Sequence, residues 1–294
     1  MATKKTYINA DQELVIQGKL TIEGEVVQQE DTVKVNNLQS DELVINSDWV
    51  PGILEFLDKI NDINHKKVIV SQIYNHKNFW KIIRNKKILE FLRNTIGNDL
   101  CYLYNSHSVF QENDNDVDIS WHRDNPCRNY GIGPDWINND YNVIRVGIYL
   151  SDKEKCQTGL SLISKSNYKK KWICILLKIL RNKFKRLYFN KIFRLFLDKF
   201  IGAKKIYTNK GDCIFFFANI YHSSLRSKSD RRAIFMSYGT KNNHAQNYLN
   251  YFFHHRKDFE IDENLIKKSD LKKYLDEEKI YIEPPNEKKP IEGV

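Results

Sequence analysis

Apolar and polar positions follow two different periods along this chain, and the changes between them mark its elements. The first 48 residues alternate in short runs at Leu14–Ile16, 20–22, Val33–Val35 and 43–45, with Gly18, Gly24, Asn36-Asn37 and Ser47-Asp48 as turn residues between them. The run Glu13 to Gln17 is echoed by Glu42 to Asn46, a hint of a repeat. Hairpins this short and this poor in large side chains bury little apolar area alone. The segment is therefore expected either to pack on the rest of the chain or to pair with copies of itself. From Trp49 the period lengthens: Ile53, Phe56, Leu57 and Ile60 are helically spaced, and 68–70 reads as a short strand. Phe79, Ile82, Ile83, Ile88, Leu89 and Leu92 then predict one helix over 77–94, closed by Gly97.

Alternation returns at 100–111, which predicts a strand with Tyr102 and Tyr104 on one face. An acidic loop over 112–118 leads to a strand at 119–122, which Pro126 stops. Further strands are expected at 142–150, at 159–163 behind Gly159, over 203–217 with a turn at Gly211-Asp212, and at 231–238. A helix over 246–255 should lie outside the sheets, with His254 and His255 on its surface, and the tail 277–294 reads as extended and polar. One stretch breaks the β pattern. Between 168 and 201, Trp172, Leu176, Leu180, Phe184 and Leu187 alternate with Lys170, Lys171, Lys178, Arg181, Lys183, Lys185 and Arg186, predicting two basic amphipathic helices broken near 188–190.

The fold class expected is mainly β with flanking helices (α+β): a β-rich appendage over 1–48, a domain over 49–260 with a helical insertion at 168–201, and an extension over 261–294. At 294 residues with 41% hydrophobic composition, the chain can hold one large domain plus an appendage. Cys101, Cys127, Cys156, Cys174 and Cys213 are scattered, odd in number and never spaced as Cys-x-x-Cys, so neither a disulfide framework nor a thiolate zinc site is indicated. A reducing, cytoplasmic setting fits them, and the N-terminus lacks the basic start and apolar run of a secretory signal.

Net charge is +10, but nearly all the excess lies between Lys165 and Lys210, where Asp198 is the only acid. The charge thus belongs to the insertion. No apolar run there approaches the roughly 18 residues of a spanning helix. A basic amphipathic helix suits an anionic membrane surface or an acidic, lipid-linked substrate; equally, the insertion can be a lid on the domain with its lysines in water. Nucleic acid is disfavoured because the aromatics do not interleave as stacking platforms.

The chemistry concentrates at Trp121-His122-Arg123-Asp124. Two ligands two residues apart, His122 and Asp124, can leave the end of one strand together, and Asn219 to Ser224 supplies a third at His222. Two imidazoles and one carboxylate on one face of an octahedron leave three positions open, as in non-haem Fe(II) oxygenases. His65, His76 and His107 have no carboxylate at ligand spacing and read as surface or core residues. Asp230-Arg231-Arg232 then opens an apolar strand. Neighbouring arginines point to opposite faces, so one of Arg231 and Arg232 can serve the site. Tyr102 and Tyr104 either donate to a cosubstrate carboxylate or fill the interior.

The order His-x-Asp, about a hundred residues, His, and then Arg resembles the phytanoyl-CoA dioxygenase family of Fe(II)/2-oxoglutarate oxygenases, over roughly 100–238. The resemblance implies a double-stranded β-helix (jelly-roll, cupin-like) barrel, with Fe(II) held by His122, Asp124 and His222. It also implies 2-oxoglutarate as cosubstrate, O2 as oxidant, and ascorbate as a helpful additive. The family's arginine for the far carboxylate falls on Arg231, two residues nearer the histidine than usual, with Arg232 as fallback. Asp124 stands where related halogenases carry a small residue, which favours hydroxylation. Gly159 to Ile163 resembles the family's glycine-led strand, but Ser164-Lys165-Ser166-Asn167 replaces its Pro-Gly-Ser-His and leaves the substrate open among small molecules, glycans and lipid-linked compounds. Residues 1–48 are similar in texture to β-repeats of tailed-phage structural proteins. That likeness keeps open self-association or virion association, and with it a structural or binding protein that retains the oxygenase fold.

Overall fold

The computed structural model describes residues 6–8, 14–16, 26–29, 32–35, 39–40, 43–44, 77–111, 121–124, 143–151, 159–164, 166, 171–225, 231–255, 266 and 270–286. Six short strands come first: β1 (Thr6–Ile8), β2 (Leu14–Ile16), β3 (Val26–Gln29), β4 (Thr32–Val35), β5 (Gln39–Ser40) and β6 (Leu43–Val44). Helices α1 (Lys77–Ile83) and α2 (Lys86–Ile96) come next, then β7 (Leu100–Tyr102), β8 (His107–Gln111), β9 (Ile144–Tyr149) and β10 (Gly159–Ile163). The insertion forms α3 (Lys171–Lys183), α4 (Lys185–Tyr188) and α5 (Lys191–Phe200). Strands β11 (Lys204–Tyr207), β12 (Cys213–Phe217), β13 (Tyr221–Ser224) and β14 (Arg231–Thr240) complete the sheets. Helix α6 (Asn243–Asn250), a π-helical turn (Tyr251–His255) and α7 (Asp270–Glu277) close the described chain.

The strands make two antiparallel sheets that matter for the site. A seven-stranded sheet runs β3-β4-β12-β9-β14-β7, with β8 also paired to β14, and a three-stranded sheet runs β11-β10-β13. Every residue of β9 is buried, so both faces of the large sheet are covered; that is why Ile144 to Tyr149 reads as a nearly continuous apolar run. The registers Arg145↔Phe216, Arg145↔Ser237 and Gly147↔Phe235 define one face, carrying Arg145, Phe216, Phe235 and Ser237. Ile144, Val146, Phe215, Met236 and Tyr238 lie on the other. Helices cover that second face: the Phe91 and Phe215 rings are 4.3 Å apart, and the Tyr238 hydroxyl donates to Ile83 O at 2.7 Å. The first face meets the smaller sheet, where Phe216 packs edge-on against His222 at 4.9 Å.

Several elements depart from the sequence expectation. The helix expected over 77–94 is two helices, because Asn85 turns its side-chain oxygen to Lys87 N and Ile88 N and caps α2. Helix α2 then buries Ile88, Leu89 and Leu92, worth about 1.5–3 kcal/mol each by transfer from water. The strand expected over 100–111 breaks at Tyr104, whose φ of 53° ends the extended run; the Tyr102 hydroxyl meets Ser106 Oγ across that turn. The stretch expected to be extended and polar begins at the end of α7, and within its described part Ile280 and Ile282 are buried, with Tyr102 N donating to Ile280 O at 2.9 Å. The insertion breaks at Phe184 as well as at Asn190.

Within 1–48, the β3-β4 hairpin joins the large sheet, since β4 pairs with β12 from Cys213↔Val35 to Phe216↔Thr32. The expectations for 20–22, 53–60, 68–70 and 112–118, and those for His65, His76, Cys127 and Cys156, fall outside the described residues. No helix among the described residues is long and apolar enough to cross a membrane.

Candidate metal centre

Trp121 is the anchor from which the site is built. Its backbone N–H donates to the Tyr188 hydroxyl at 2.8 Å and its indole N–H to Asp198 Oδ1 at 3.1 Å, and the residue is buried. Extended backbone then turns the next residue, His122, to the opposite side. His122 and His222 form an antiparallel bridge, with N–H···O distances of 3.0 and 2.9 Å, and Asp124 N donates to Ala218 O at 2.9 Å. Both ends of His122-Arg123-Asp124 are thereby tied to the chain around β13, a hundred residues away. Backbone pairing brings the two motifs together before any ligand does.

The side chains converge accordingly. Asp124 Oδ1 lies 3.6 Å from His222 Nε2 and 3.9 Å from His122 Nε2. One ligand atom from each of His122, Asp124 and His222 lies within 4.8 Å of the others. His222 is buried, with Nδ1 3.0 Å from Ile220 O. A carbonyl can only accept, so that contact places a ring proton on Nδ1 and leaves Nε2 as the atom turned toward Asp124. The two imidazole rings are 4.4 Å apart. With 41% of its side chain exposed, His122 marks the open side of the cluster.

Arg145 completes the centre, a role that no motif in the sequence gives it. Its side chain is 4% exposed, and its Nε forms an ion pair 2.7 Å from Asp124 Oδ2. One terminal nitrogen donates to Asn105 O at 2.9 Å and Ser237 Oγ at 2.6 Å. The other lies 3.4 Å from His107 Nδ1, so His107, which reads from the sequence as a surface or core residue, sits beside the centre, half-buried. The carboxylate is thus divided: Oδ2 belongs to the guanidinium and Oδ1 faces two imidazoles. Burial alone would raise the Asp124 carboxyl. The Arg145 charge, the charge and hydrogen bond of His222, and the charge of His122 outweigh it and hold the group well below the usual carboxylate range. A fixed, ionised, one-oxygen donor beside two imidazoles suits a first-row divalent cation with open positions. One signal for Arg145 does exist: an arginine inside an otherwise apolar, doubly buried strand needs a counter-charge.

The remaining expected residues divide between the two faces of the large sheet. Position 231 shares the Arg145 face by register, through Arg231↔Gln111 and the parity of Ala233, Phe235 and Ser237; its side chain lies outside the described residues. Arg232 falls on the opposite face, half-buried, with its N–H donating to Ser151 Oγ at 2.9 Å. Tyr102 pairs with Tyr238 on the helix-covered face, and the Tyr104 hydroxyl donates to Ile282 O at 2.9 Å. Both tyrosine rings pack with each other at 5.3 Å. Their hydroxyls are committed to packing rather than turned toward His122, Asp124 and His222. Ser166 is tied to the residues around the centre: its Oγ accepts from Tyr221 N at 2.7 Å, and the Arg123 guanidinium reaches its carbonyl oxygen.

No protein-family model and no curated protein matches the sequence. Solved structures do. HygX from Streptomyces hygroscopicus with nickel and 2-oxoglutarate bound is similar with a TM-score of 0.52 and 13% identity, over 72% of this chain and 83% of that one. The chain shares its fold with HygX. The apo form of HygX gives a TM-score of 0.50 at 12% identity, over 72% and 83% of the two chains. The non-haem α-ketoglutarate-dependent epimerase SnoN from nogalamycin biosynthesis scores 0.48 at 11% identity, over 71% and 76%. At these identities the likeness is one of architecture.

Proposed function

We propose that this protein is an Fe(II)- and 2-oxoglutarate-dependent dioxygenase of the phytanoyl-CoA dioxygenase type, built on a double-stranded β-helix. One observation carries the reading: His122, Asp124 and His222 converge with one donor atom each toward a common point. The fold shared with HygX, whose structure holds nickel and 2-oxoglutarate, supports it. The donor set fits the metal: two imidazoles and a carboxylate suit iron, leave positions open, and need no thiolate. When bound, iron with 2-oxoglutarate and O2 supplies the oxidising power, releasing succinate and CO2 as a substrate is hydroxylated.

The chain's own residues do the positioning. His222 offers Nε2 because Ile220 O holds its Nδ1 proton. Asp124 would offer Oδ1 to the metal, because Arg145 holds Oδ2. With Asp124 in place as a ligand, hydroxylation is favoured over halogenation. Arg231 is the residue for the far carboxylate of 2-oxoglutarate, supported by its register on the Arg145 face. A guanidinium gives that carboxylate a planar, always-charged partner. The substrate class is a small molecule, a glycan or a lipid-linked compound.

The test is succinate production under air with Fe(II), ascorbate and 2-oxoglutarate, wild type beside Asp124→Ala. Slow turnover without substrate, lost in the variant, is expected. Neither turnover nor anaerobic Fe(II)·2-oxoglutarate binding by the wild type would sink the reading. Within the same assay, Arg231→Met should raise the 2-oxoglutarate KM roughly 10- to 100-fold, the worth of one hydrogen-bonded charge, while Arg232→Met leaves it nearly unchanged.

A further inference from the structure

The insertion buries only part of the apolar stripe that its sequence suggests: Leu176 and Leu180 pack inward, while Trp172, Phe184 and Leu187 stay exposed. Ile173, Leu177 and Leu180 of α3 point inward with Leu197 of α5, packing with Trp121 and Ile163. A second apolar stripe is left outside. On α3, Trp172, Ile175 and Ile179 are 52%, 61% and 43% exposed, at helical spacing. On α5, Ile192, Leu195, Phe196 and Phe200 are 62–70% exposed, again along one face. The two faces adjoin, because the Trp172 and Phe200 rings meet edge-on at 6.0 Å. Phe184 and Leu187 continue the surface between the helices, at 53% and 43% exposure. Apolar side chains exposed in this number and continuity mark an interaction site rather than ordinary surface.

The charges around this surface select the partner. Lys178, Arg181, Lys183, Lys185, Arg186 and Lys199 are all exposed. The only acid between Lys165 and Lys210, Asp198, is buried, with its carboxylate 2.7 Å from Arg194 Nε. The exposed charge of the helices is therefore of one sign. A two-fold contact with a second copy would set this basic rim against itself. Nucleic acid would meet the lysines but leave Ile175, Ile192 and Leu195 without a counterpart. A lipid surface satisfies both features, with acyl chains for the apolar stripe and anionic headgroups for its rim.

We propose that α3, α4 and α5 form a docking platform for an anionic membrane surface, on which the protein sits without spanning the bilayer. The platform is hydrogen-bonded to the segment that carries His122, since Tyr188 and Asp198 hold the backbone and indole of Trp121. Docking would therefore fix the orientation of the site to the lipid. The surface itself stands independently of any activity at that site.

The experiment is co-flotation of the full chain with vesicles of phosphatidylcholine alone or mixed with phosphatidylglycerol. The wild type should float with the anionic vesicles and hardly with the neutral ones. Raising salt from about 0.1 M to about 0.5 M should weaken binding. Phe196→Asp should lower the bound fraction at least about tenfold by placing a charge in the buried stripe. Ile175→Asp, on the other helix, should do the same, and both variants should keep the wild-type circular dichroism because the positions are exposed. Lys183→Glu with Arg186→Glu should weaken binding to anionic vesicles in particular. No flotation of the wild type, or flotation that both aspartate variants retain, would overturn the proposal. A dimer by light scattering that Phe196→Asp makes monomeric, with no vesicle binding, would overturn it too and assign the face to a second copy.

Discussion

Two buried arginine–aspartate pairs lie on either side of the strand that carries Trp121 and His122, and they are built alike. Arg145 Nε is 2.7 Å from Asp124 Oδ2, and Arg194 Nε is 2.7 Å from Asp198 Oδ1. Each arginine also donates to a serine hydroxyl, Ser237 at 2.6 Å and Ser223 at 3.0 Å. The difference lies in the carboxylates. Asp198 Oδ1 takes both the guanidinium and the Trp121 indole, and Arg194 stacks over the Trp121 ring at 5.0 Å, so that pair closes on itself. Asp124 gives one oxygen to its arginine and turns the other to two imidazoles. A buried ion pair by itself therefore says little about function. What marks the candidate metal centre is the oxygen that the pair leaves over.

Removing the arginines breaks the likeness most sharply. Arg194→Met leaves Asp198 buried and uncompensated and should cost about 3–5 kcal/mol of unfolding free energy. Adding Ni(II) should not restore it, because among the described residues Asp198 belongs to no group of three that could hold a metal ion. Arg145→Met should cost a similar amount in metal-free protein. Here Ni(II) should recover a large part, since the cation can supply the charge that Asp124 has lost. Thermal melts of both variants with and without the metal decide the matter. Equal recovery, or none in either, would mean that the Asp124 cluster is as closed as the Asp198 pair.

The two pairs are not equally legible in the sequence. His122, Asp124 and His222 stand out because few other chemistries use that order, and because His-x-Asp at a strand end already aims two ligands one way. Arg145 stands out less: its one signal, a charge inside an apolar run, calls for a counter-charge but does not say which residue supplies it. The insertion reads as helical, but its pattern puts Trp172, Leu176, Leu180, Phe184 and Leu187 on one stripe. Hydrophobic residues lie on both faces of α3, so periodicity has two solutions; the buried face takes Leu180 from the predicted stripe and adds Ile173 and Leu177, which only the contacts reveal. Tyr102 and Tyr104 stay between two roles because a tyrosine pattern cannot say which face of a sheet its helices cover.

Acid should separate the pairs next. Asp124 has a folded-state pKa depressed below the ordinary 3.8. The stability it contributes is complete above about pH 4 and is lost as pH falls through the lower folded value. In metal-free Arg145→Met the largest charge holding that carboxyl down is gone and burial raises it, so acid protonation relieves the variant while it removes stability from the wild type. The stability gap between the two should therefore narrow between about pH 7 and pH 3, read by chemical denaturation at each pH. A gap that stays constant would mean that the two histidines alone hold Asp124 ionised.

The smallest effect asks whether the pairs communicate through the residue between them. Tyr188 accepts the backbone N–H of Trp121 at 2.8 Å, on the insertion side, one residue before His122. Tyr188→Phe leaves that buried N–H without its acceptor and should cost about 1–3 kcal/mol. The position of His122, however, is also set by its own two-way backbone bridge to His222 and by the bond from Asp124 N to Ala218 O. Those bonds lie on the far side of Trp121 and survive the substitution. Stability should therefore fall while Ni(II) affinity changes less than about threefold, as for two sites that contribute independently. Chemical denaturation and a metal titration on one preparation give both numbers. If affinity falls tenfold or more while stability hardly moves, the insertion is positioning His122, and the two pairs form one coupled device rather than two neighbours.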